Sequence, residues 1–190
     1  MDGTSSIAGR SGPRLVHLSE DPSITWFVPR PAATLSGGPP VVWAIDDARA
    51  PHYWFPRDCP RIVFWADRDT STADATRFLG HGGAGKVIAV ESAWFGRIRN
   101  ATLYAYALPP ATFRLVDDQA GYDVSAEPVE PLGVAPVGDL LDCLLGQGIE
   151  LRLTPNLWPL RDALVSSTMG FSMIRLRNAT AGKPPSHPAR

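Results

Sequence analysis

The chain has 190 residues, 44% of them hydrophobic, which suits one globular domain with a sizeable core. Its 19 prolines and 17 glycines predict many turns. The formal net charge of −1, without a cluster of Lys and Arg, argues against nucleic acid as a partner but leaves room for a small anionic ligand held by two or three arginines.

The two ends of the chain differ from its middle. Residues 1–13 and 179–190 are rich in small residues, proline and polar groups without periodicity, so we predict a disordered leader and tail around one domain at 14–178. The leader lacks the apolar segment of a signal peptide, and no segment approaches the roughly 20 apolar residues of a membrane helix. We therefore expect a cytoplasmic protein that does not bind a membrane.

Between these ends, short strand-like segments alternate with short helical ones. The strand candidates are rich in Val, Ile, Tyr or Trp: Leu15–Leu18, Val41–Ile45, Arg61–Trp65, Lys86–Val90, Thr102–Leu108, Tyr122–Ser125, Val129–Val134 and Ile149–Leu153. The helix candidates are Ala48–Phe55, Ser71–Leu79, Ser92–Arg99, Val137–Leu145 and Leu157–Ser167. This strand-rich, irregular order favours an α+β domain over a doubly wound parallel sheet.

A glycine-rich segment from Gly80 to Val87 has the glycine and lysine spacing of a phosphate-binding P-loop. Val87 stands where Ser or Thr would bind magnesium, and the glycines follow a helical segment instead of preceding one. The segment is therefore predicted to be a loop between a helix and a strand. The two cysteines, Cys59 and Cys143, lack the paired spacing of a metal site.

His17 lies in the middle of the first strand candidate, and Ser19 shares its face. The pair could hydrogen-bond a ribose in one cleft. A Ser19 nucleophile activated by His17 is the weaker interpretation, because no Gly-x-Ser-x-Gly turn is present. Tyr53 lies among aromatic residues and either belongs to the core or sandwiches a flat ring together with His17.

Two charged segments allow two interpretations each. One of them is a turn fixed by prolines, which contains Arg57, Asp58 and Arg61. These residues either form an arginine fork that binds phosphate or carboxylate, or form a structural ion pair that links a helix end to the next strand. Glu127 and Glu130 either steady an oxocarbenium-like transition state or are exposed carboxylates beside prolines.

Four segments resemble an uncharacterised bacterial family known only as a domain of unknown function. They are Leu15–Ile24 (LVHLSEDPSI), Pro40–Asp46 (PVVWAID), Tyr53–Arg61 (YWFPRDCPR) and Pro155–Pro159 (PNLWP). More distantly, the chain resembles the ADP-ribosyltransferase-like superfamily. There a first-strand His contacts ribose, a Tyr after the next strand stacks on nicotinamide, and a late-strand Glu completes the site.

This resemblance implies a mainly antiparallel, split sheet with short helices, with His17 in the first role and Tyr53 in the second. The position of the late Glu falls on Gly121, so Asp123, Glu127 or Glu130 would have to replace it.

The leading hypothesis is that NAD or a related nucleotide binds between His17, Ser19 and Tyr53, with Arg57 or Arg61 near the phosphates. As a transferase of ADP-ribose to an unknown acceptor, the protein would use His17, Tyr53 and Glu127. The alternative is a non-catalytic ligand-binding or interaction domain that keeps this fold without the carboxylate. A purely structural domain would instead have a fully hydrogen-bonded His17 and no cleft.

Overall fold

The computed structural model describes residues 14–31, 38–117 and 120–181. The predicted leader lies outside these ranges, as does the predicted tail beyond Ala181. The described strands are β1 Leu15–Ser19, β2 Val42–Asp46, β3 Arg61–Trp65, β4 Lys86–Glu91, β5 Tyr104–Leu108, β6 Arg114–Asp117, β7 Tyr122–Ser125, β8 Gly133–Pro136, β9 Ile149–Thr154 and β10 Gly170–Ile174. The described α-helices are α1 Thr72–Leu79, α2 Phe95–Asn100, α3 Leu140–Gly146 and α4 Trp158–Val165.

The first sheet has the order β6-β7-β2-β1-β5-β8, and all its pairs are antiparallel. β1 pairs with β5 along its whole length, from Leu15 opposite Leu108 to Ser19 opposite Tyr104. It pairs with β2 only through Leu15 and Val16. The two central strands therefore diverge just before His17.

The second sheet has the order β10-β3-β4-β9, antiparallel except for the parallel pair β4 and β9. Every residue of β4 from Val87 to Glu91 is buried. One face carries a first apolar cluster, which includes Val63 and Ile88, and the other carries a second one with Phe64 and Val87. Because both faces are covered, β4 is continuously apolar from Val87 to Val90 instead of alternating.

A third apolar cluster lies on one face of the first sheet and includes Leu15, Ala44 and Tyr106. Phe27, from the extended segment between β1 and β2, packs into it and pairs with Val129 through backbone hydrogen bonds of 2.8 and 2.9 Å. The segment that follows β1 is thereby held against the sheet.

The prediction of one α+β domain with a mainly antiparallel sheet is confirmed. Local boundaries differ. The predicted helix Ala48–Phe55 is only a 3₁₀ turn at Ala50–Tyr53, because Pro51 and Pro56 restrict continuation. The predicted strand Val129–Val134 is an isolated bridge at Val129 followed by β8.

Two further predictions concern the loops and the chain end. The glycine-rich segment connects α1 to β4, as expected, with left-handed φ values of 63° at Gly80 and 75° at Gly83. The predicted disorder from residue 179 is wrong at its start: Ala179 packs on the second cluster, and Thr180 hydrogen-bonds to Glu91. No helix in the described ranges is long and apolar enough to cross a membrane.

Candidate functional site

His17 faces the point where β1 and β2 separate. Its Nδ1–H donates to the backbone oxygen of Trp43 at 2.8 Å, in place of the strand pairing that ends at Val16. Because a carbonyl only accepts, this bond puts the proton on Nδ1 and leaves Nε2 as an acceptor. Nε2 has no hydrogen-bond partner among the described residues. The imidazole is therefore tethered on one side and open to a donor on the other.

The surroundings of His17 keep its ring neutral. Burial lowers its pKa below 6.5, the bond to Trp43 partly opposes this effect, and the positive charges of Arg57 and Arg30 lower the pKa further. The ring also contacts Phe27, with centroids 4.6 Å apart. A neutral, oriented imidazole beside two cations suits a ligand that carries both a hydroxyl donor and negative charge.

Arg30 and Arg57 are exposed, and neither side chain makes a hydrogen bond or ion pair within the described ranges. Their backbones are fixed. Arg30 pairs with Val41 through two hydrogen bonds of 3.0 Å, and the amide of Arg57 donates to Glu20 Oε1 at 2.9 Å. Arg57 is one of the predicted residues; Arg30 is not, because only its place between Pro29 and Pro31 marks it in the sequence.

Ser19 is buried and shares the face of His17 by strand alternation, as predicted. Its Oγ accepts from the amide of Asp21 at 3.1 Å, so it fastens the turn after β1. Tyr106 reinforces that turn, because its hydroxyl donates to the Asp21 carbonyl at 2.7 Å and accepts from the Ile24 amide at 3.1 Å. The rim beside His17 is thus rigid.

Tyr53 does not face His17. Its ring packs against the first cluster and contacts Tyr122, which is paired with Ile45 on the sheet face opposite that of His17. One side of the ring lies under the Arg61 guanidinium at 5.5 Å, and its hydroxyl donates to the Ala120 carbonyl at 3.3 Å. Burial raises the pKa of this phenol. Tyr53 therefore joins the two sheets, and the structure does not support a ring held between it and His17.

Arg61 also has a structural role instead of the predicted phosphate contact. It is 3% exposed, its Nε donates to the His52 carbonyl at 2.6 Å, and its Nη1 donates to the Cys59 carbonyl at 2.8 Å. Its guanidinium also lies over the Phe55 ring at 5.1 Å. Burial lowers its pKa to about 10, which leaves it charged at neutral pH. The arginine fork predicted from Arg57 and Arg61 is therefore not formed, and Asp58 pairs with neither arginine within 4.0 Å.

The predicted carboxylate Glu127 is exposed, and only its backbone makes hydrogen bonds, both with Ser125 Oγ. Asp123 is better placed. It pairs with Ala44, a member of the third cluster, so it lies on the sheet face of His17. Burial raises its pKa, and the neighbouring charge of Asp46 raises it further. Of the three carboxylates considered for the missing Glu, Asp123 is half-buried, whereas Glu127 and Glu130 are exposed.

The structure leaves no room for a side chain at position 121, where the resemblance places Glu. The φ of Gly121 is 68°, and a Cβ there would lie 2.4 Å from both Asp46 Oδ2 and Arg49 Cδ. The Asp46–Arg49 ion pair, at 2.8 Å, occupies that space. Within the described ranges, no three His, Cys, Asp or Glu side chains are grouped as metal ligands would be.

Comparison with known proteins gives one match. The model of a family described as a family of unknown function (DUF6886) matches residues 16–179. No curated protein and no solved structure matches the chain. The expected match to a domain of unknown function is confirmed, whereas the resemblance to ADP-ribosyltransferases and the bacterial origin stay predictions.

Proposed function

We propose that this chain, which belongs to a family of unknown function (DUF6886), binds NAD or a related nucleotide where β1 and β2 diverge. The observation that carries the proposal is the hydrogen bond from His17 Nδ1 to Trp43 O, which leaves Nε2 as an oriented acceptor beside two unpaired arginines. A ribose hydroxyl can donate to that nitrogen. The same nucleotide supplies phosphate oxygens for guanidinium groups.

Electrostatics favours an anionic ligand at this place. The positive charges of Arg57 and Arg30 both lower the pKa of His17, so the surroundings of the ring are positive. A pyrophosphate is attracted by both positive charges. Because Arg57 is anchored through Glu20 and Arg30 through Val41, little backbone ordering is required when the ligand binds.

Transfer of ADP-ribose would require more than binding. The bond between nicotinamide and the ribose C1′ breaks with its electron pair leaving on nicotinamide, and an acceptor then attacks C1′ and loses a proton. A carboxylate near C1′ stabilises the positive charge that develops on the ribose. Asp123 would fill this role better than Glu127, because it lies on the face of His17 and is less exposed. Without such catalysis, the protein is a nucleotide-binding domain that keeps the same site.

The first test is calorimetric titration of the full chain with NAD. Wild type should bind saturably. His17→Ala, and a double variant with Arg30→Gln and Arg57→Gln, should each weaken binding about tenfold or more, because each removes charged or oriented contacts. Arg99→Gln removes an exposed arginine on α2 and should bind like wild type. Absence of saturable heat at millimolar NAD, or unchanged binding by folded His17→Ala, would overturn the proposal.

Catalysis is tested separately by following nicotinamide release from NAD. If the protein is catalytic, Asp123→Asn should lose release while it retains NAD binding, and Glu127→Gln should retain both. Binding without any release by the wild type assigns the protein to the non-catalytic alternative.

A further inference from the structure

His52 is the least satisfied polar side chain in the described part of the molecule. It is 2% exposed, and neither ring nitrogen has a hydrogen-bond partner. A neutral imidazole always carries one N–H donor and one acceptor, so burial leaves both without compensation. His52 Nδ1 and Nε2 are the only such side-chain atoms found there. An unsatisfied pair of this kind calls for an explanation at its own location.

His52 lines a hollow of about 430 Å³ at the end of the second sheet. Trp65, the last residue of β3, and Lys86, the first of β4, lie opposite each other in register and form part of its wall. A second hollow of about 380 Å³ shares Trp65 and Lys86 with it. Volumes of this size are ordinary for sites that hold a small molecule.

Trp65 provides a flat wall for this hollow. Its ring stacks on His52 with centroids 6.0 Å apart and planes at 23°. Gly170 is paired with Trp65, and a Cβ at that position would lie 2.6 Å from Trp65 Nε1. Glycine thus allows the indole to lie across the start of β10, with its N–H beside the hollow.

The charge around His52 is positive. After burial, the causes that lower its pKa are the cations Lys86, Arg49 and Arg61, and no acid opposes them. Lys86 makes no hydrogen bond or ion pair in the described ranges, whereas Arg49 is paired with Asp46 and Arg61 with backbone carbonyls.

One acid, Asp67, also lines the hollow. Its Oδ1 accepts from the Asp69 amide at 3.0 Å and from Thr70 Oγ1 at 3.1 Å, so it belongs to the turn after β3. It lies more than 4.0 Å from the Lys86 ammonium, because no ion pair joins them. Lys86 therefore remains available to an anion that enters the hollow.

We propose that this hollow is a second ligand site, separate from His17, which binds a small aromatic carboxylate. The carboxylate lies against the Lys86 ammonium, and the ring lies beside Trp65 and His52. Both imidazole nitrogens are enclosed by protein, so the ligand contacts Trp65 and Lys86 and not these nitrogens. A flat ring matches the aromatic wall, and the single negative charge matches the single unpaired cation.

The test uses sodium benzoate as the probe and benzamide as its uncharged analogue. The Trp65 indole N–H resonance, assigned with Trp65→Phe, is followed by NMR while each compound is added to the full chain. Benzoate should shift this resonance saturably in the millimolar range, and benzamide should bind about tenfold or more weakly.

Two variants of Lys86 provide the matched comparison. Lys86→Met keeps most of the aliphatic stem but removes the charge, and it should weaken benzoate binding about tenfold or more. Lys86→Arg should restore most of the affinity. His17→Ala should leave benzoate binding unchanged, which separates this site from the proposed nucleotide site. No saturable shift, equal binding of benzamide, or unchanged affinity in folded Lys86→Met would overturn the proposal.

Discussion

At the scale of single residues, burial keeps both His17 and His52 neutral, but the two imidazoles differ in their hydrogen bonds. Burial is the largest cause that lowers the pKa of both. His17 is oriented by a backbone carbonyl, whereas both nitrogens of His52 lack a partner. The first arrangement favours recognition of a donor, and the second makes the histidine a source of acid sensitivity.

Removal of the His52 imidazole should flatten the pH dependence of stability. Burial lowers the pKa of His52 to about 3, from 6.5. Below pH 6.5 the imidazole of the unfolded chain therefore binds a proton, whereas that of the folded chain does so only below about pH 3. The free energy of unfolding of wild type should thus fall by up to about 1.4 kcal/mol for each pH unit of acidification across this window. His52→Leu should lack this loss.

Urea unfolding of wild type and His52→Leu at pH 7 and pH 4.5 measures that difference. The carboxylates and His17 titrate alike in both proteins, so they cancel in the comparison. Parallel losses of unfolding free energy in the two proteins would show that His52 accepts a proton without unfolding.

The sequence predicts which residues lie near His17 better than it predicts what each candidate residue does. His17 and Ser19 lie on one face of β1, and Arg57 is held beside the end of β1 through Glu20, but their role in binding a ligand stays a prediction. Tyr53 and Arg61 were placed at a ligand, yet both are used between the sheets. The difference depends on which face of which sheet a turn packs against, and short-range patterns do not contain that information.

At the scale of elements, one buried carboxylate fastens the chain segment after β10. Glu91, at the end of β4, is 1% exposed. Its Oε1 accepts from the Leu157 amide at 3.4 Å, and both its oxygens accept from Thr180. Leu157 directly precedes α4, so a single side chain links β4, α4 and the last described segment.

Glu91→Ala should cost about 3 kcal/mol of unfolding free energy, because several donors lose their acceptor in a buried place. Glu91→Gln keeps one acceptor oxygen and should cost about 1 kcal/mol. Glu127→Ala, which removes an exposed carboxylate, should change stability by less than about 0.5 kcal/mol. Urea unfolding of the three variants checks this order, and equal costs for Glu91→Ala and Glu127→Ala would contradict it.

Elements were predictable where local chemistry marks them. Arg61–Trp65 and Tyr122–Ser125 have the predicted bounds. β6 and β10 were not predicted. β6 is largely exposed, and every residue of β10 before Ile174 is half-buried, so neither shows a clear alternation of apolar and polar positions. β10 pairs with β3, which is distant in sequence, whereas β6 pairs with β7, the next strand along the chain.

At the scale of the whole molecule, the buried Cys59 thiol reports on the opening of the fold. It is fully buried in the first cluster, and burial raises its pKa to about 12. Cys143 is half-buried on α3. In a Cys143→Ser variant, the remaining thiol should react with a disulfide reagent at pH 8 roughly a thousandfold more slowly in the folded state than in urea.

The dependence of this rate on low urea concentrations identifies the opening event. A rate that rises with the same urea dependence as global unfolding confirms that Cys59 is reached only when the domain opens. Comparable rates in the folded and unfolded states would contradict the burial of Cys59.

The fold class was predictable at this scale, and the arrangement of the sheets was not. Strand-rich composition and short helical segments are sufficient to indicate an α+β domain. Nothing in the local pattern of β3 shows that it lies between β4 and β10, or that β4 pairs in parallel with β9. Those strand pairings depend on which helices and loops cover the two apolar faces of the second sheet, and these come from distant parts of the chain.

The position of β10 also constrains how the chain acquires its structure during synthesis. β3 pairs with β10, so the second sheet is complete only after β10 has been synthesised, when Ile174 can pair with Arg61. Until then the nascent chain carries the apolar side chains of Ile62 and Phe64 on an unpaired edge, a state prone to aggregation. A ribosome that stalls before β10 should therefore leave a fragment that depends on chaperones, whereas a stall after Thr180 should leave one that can close its sheet.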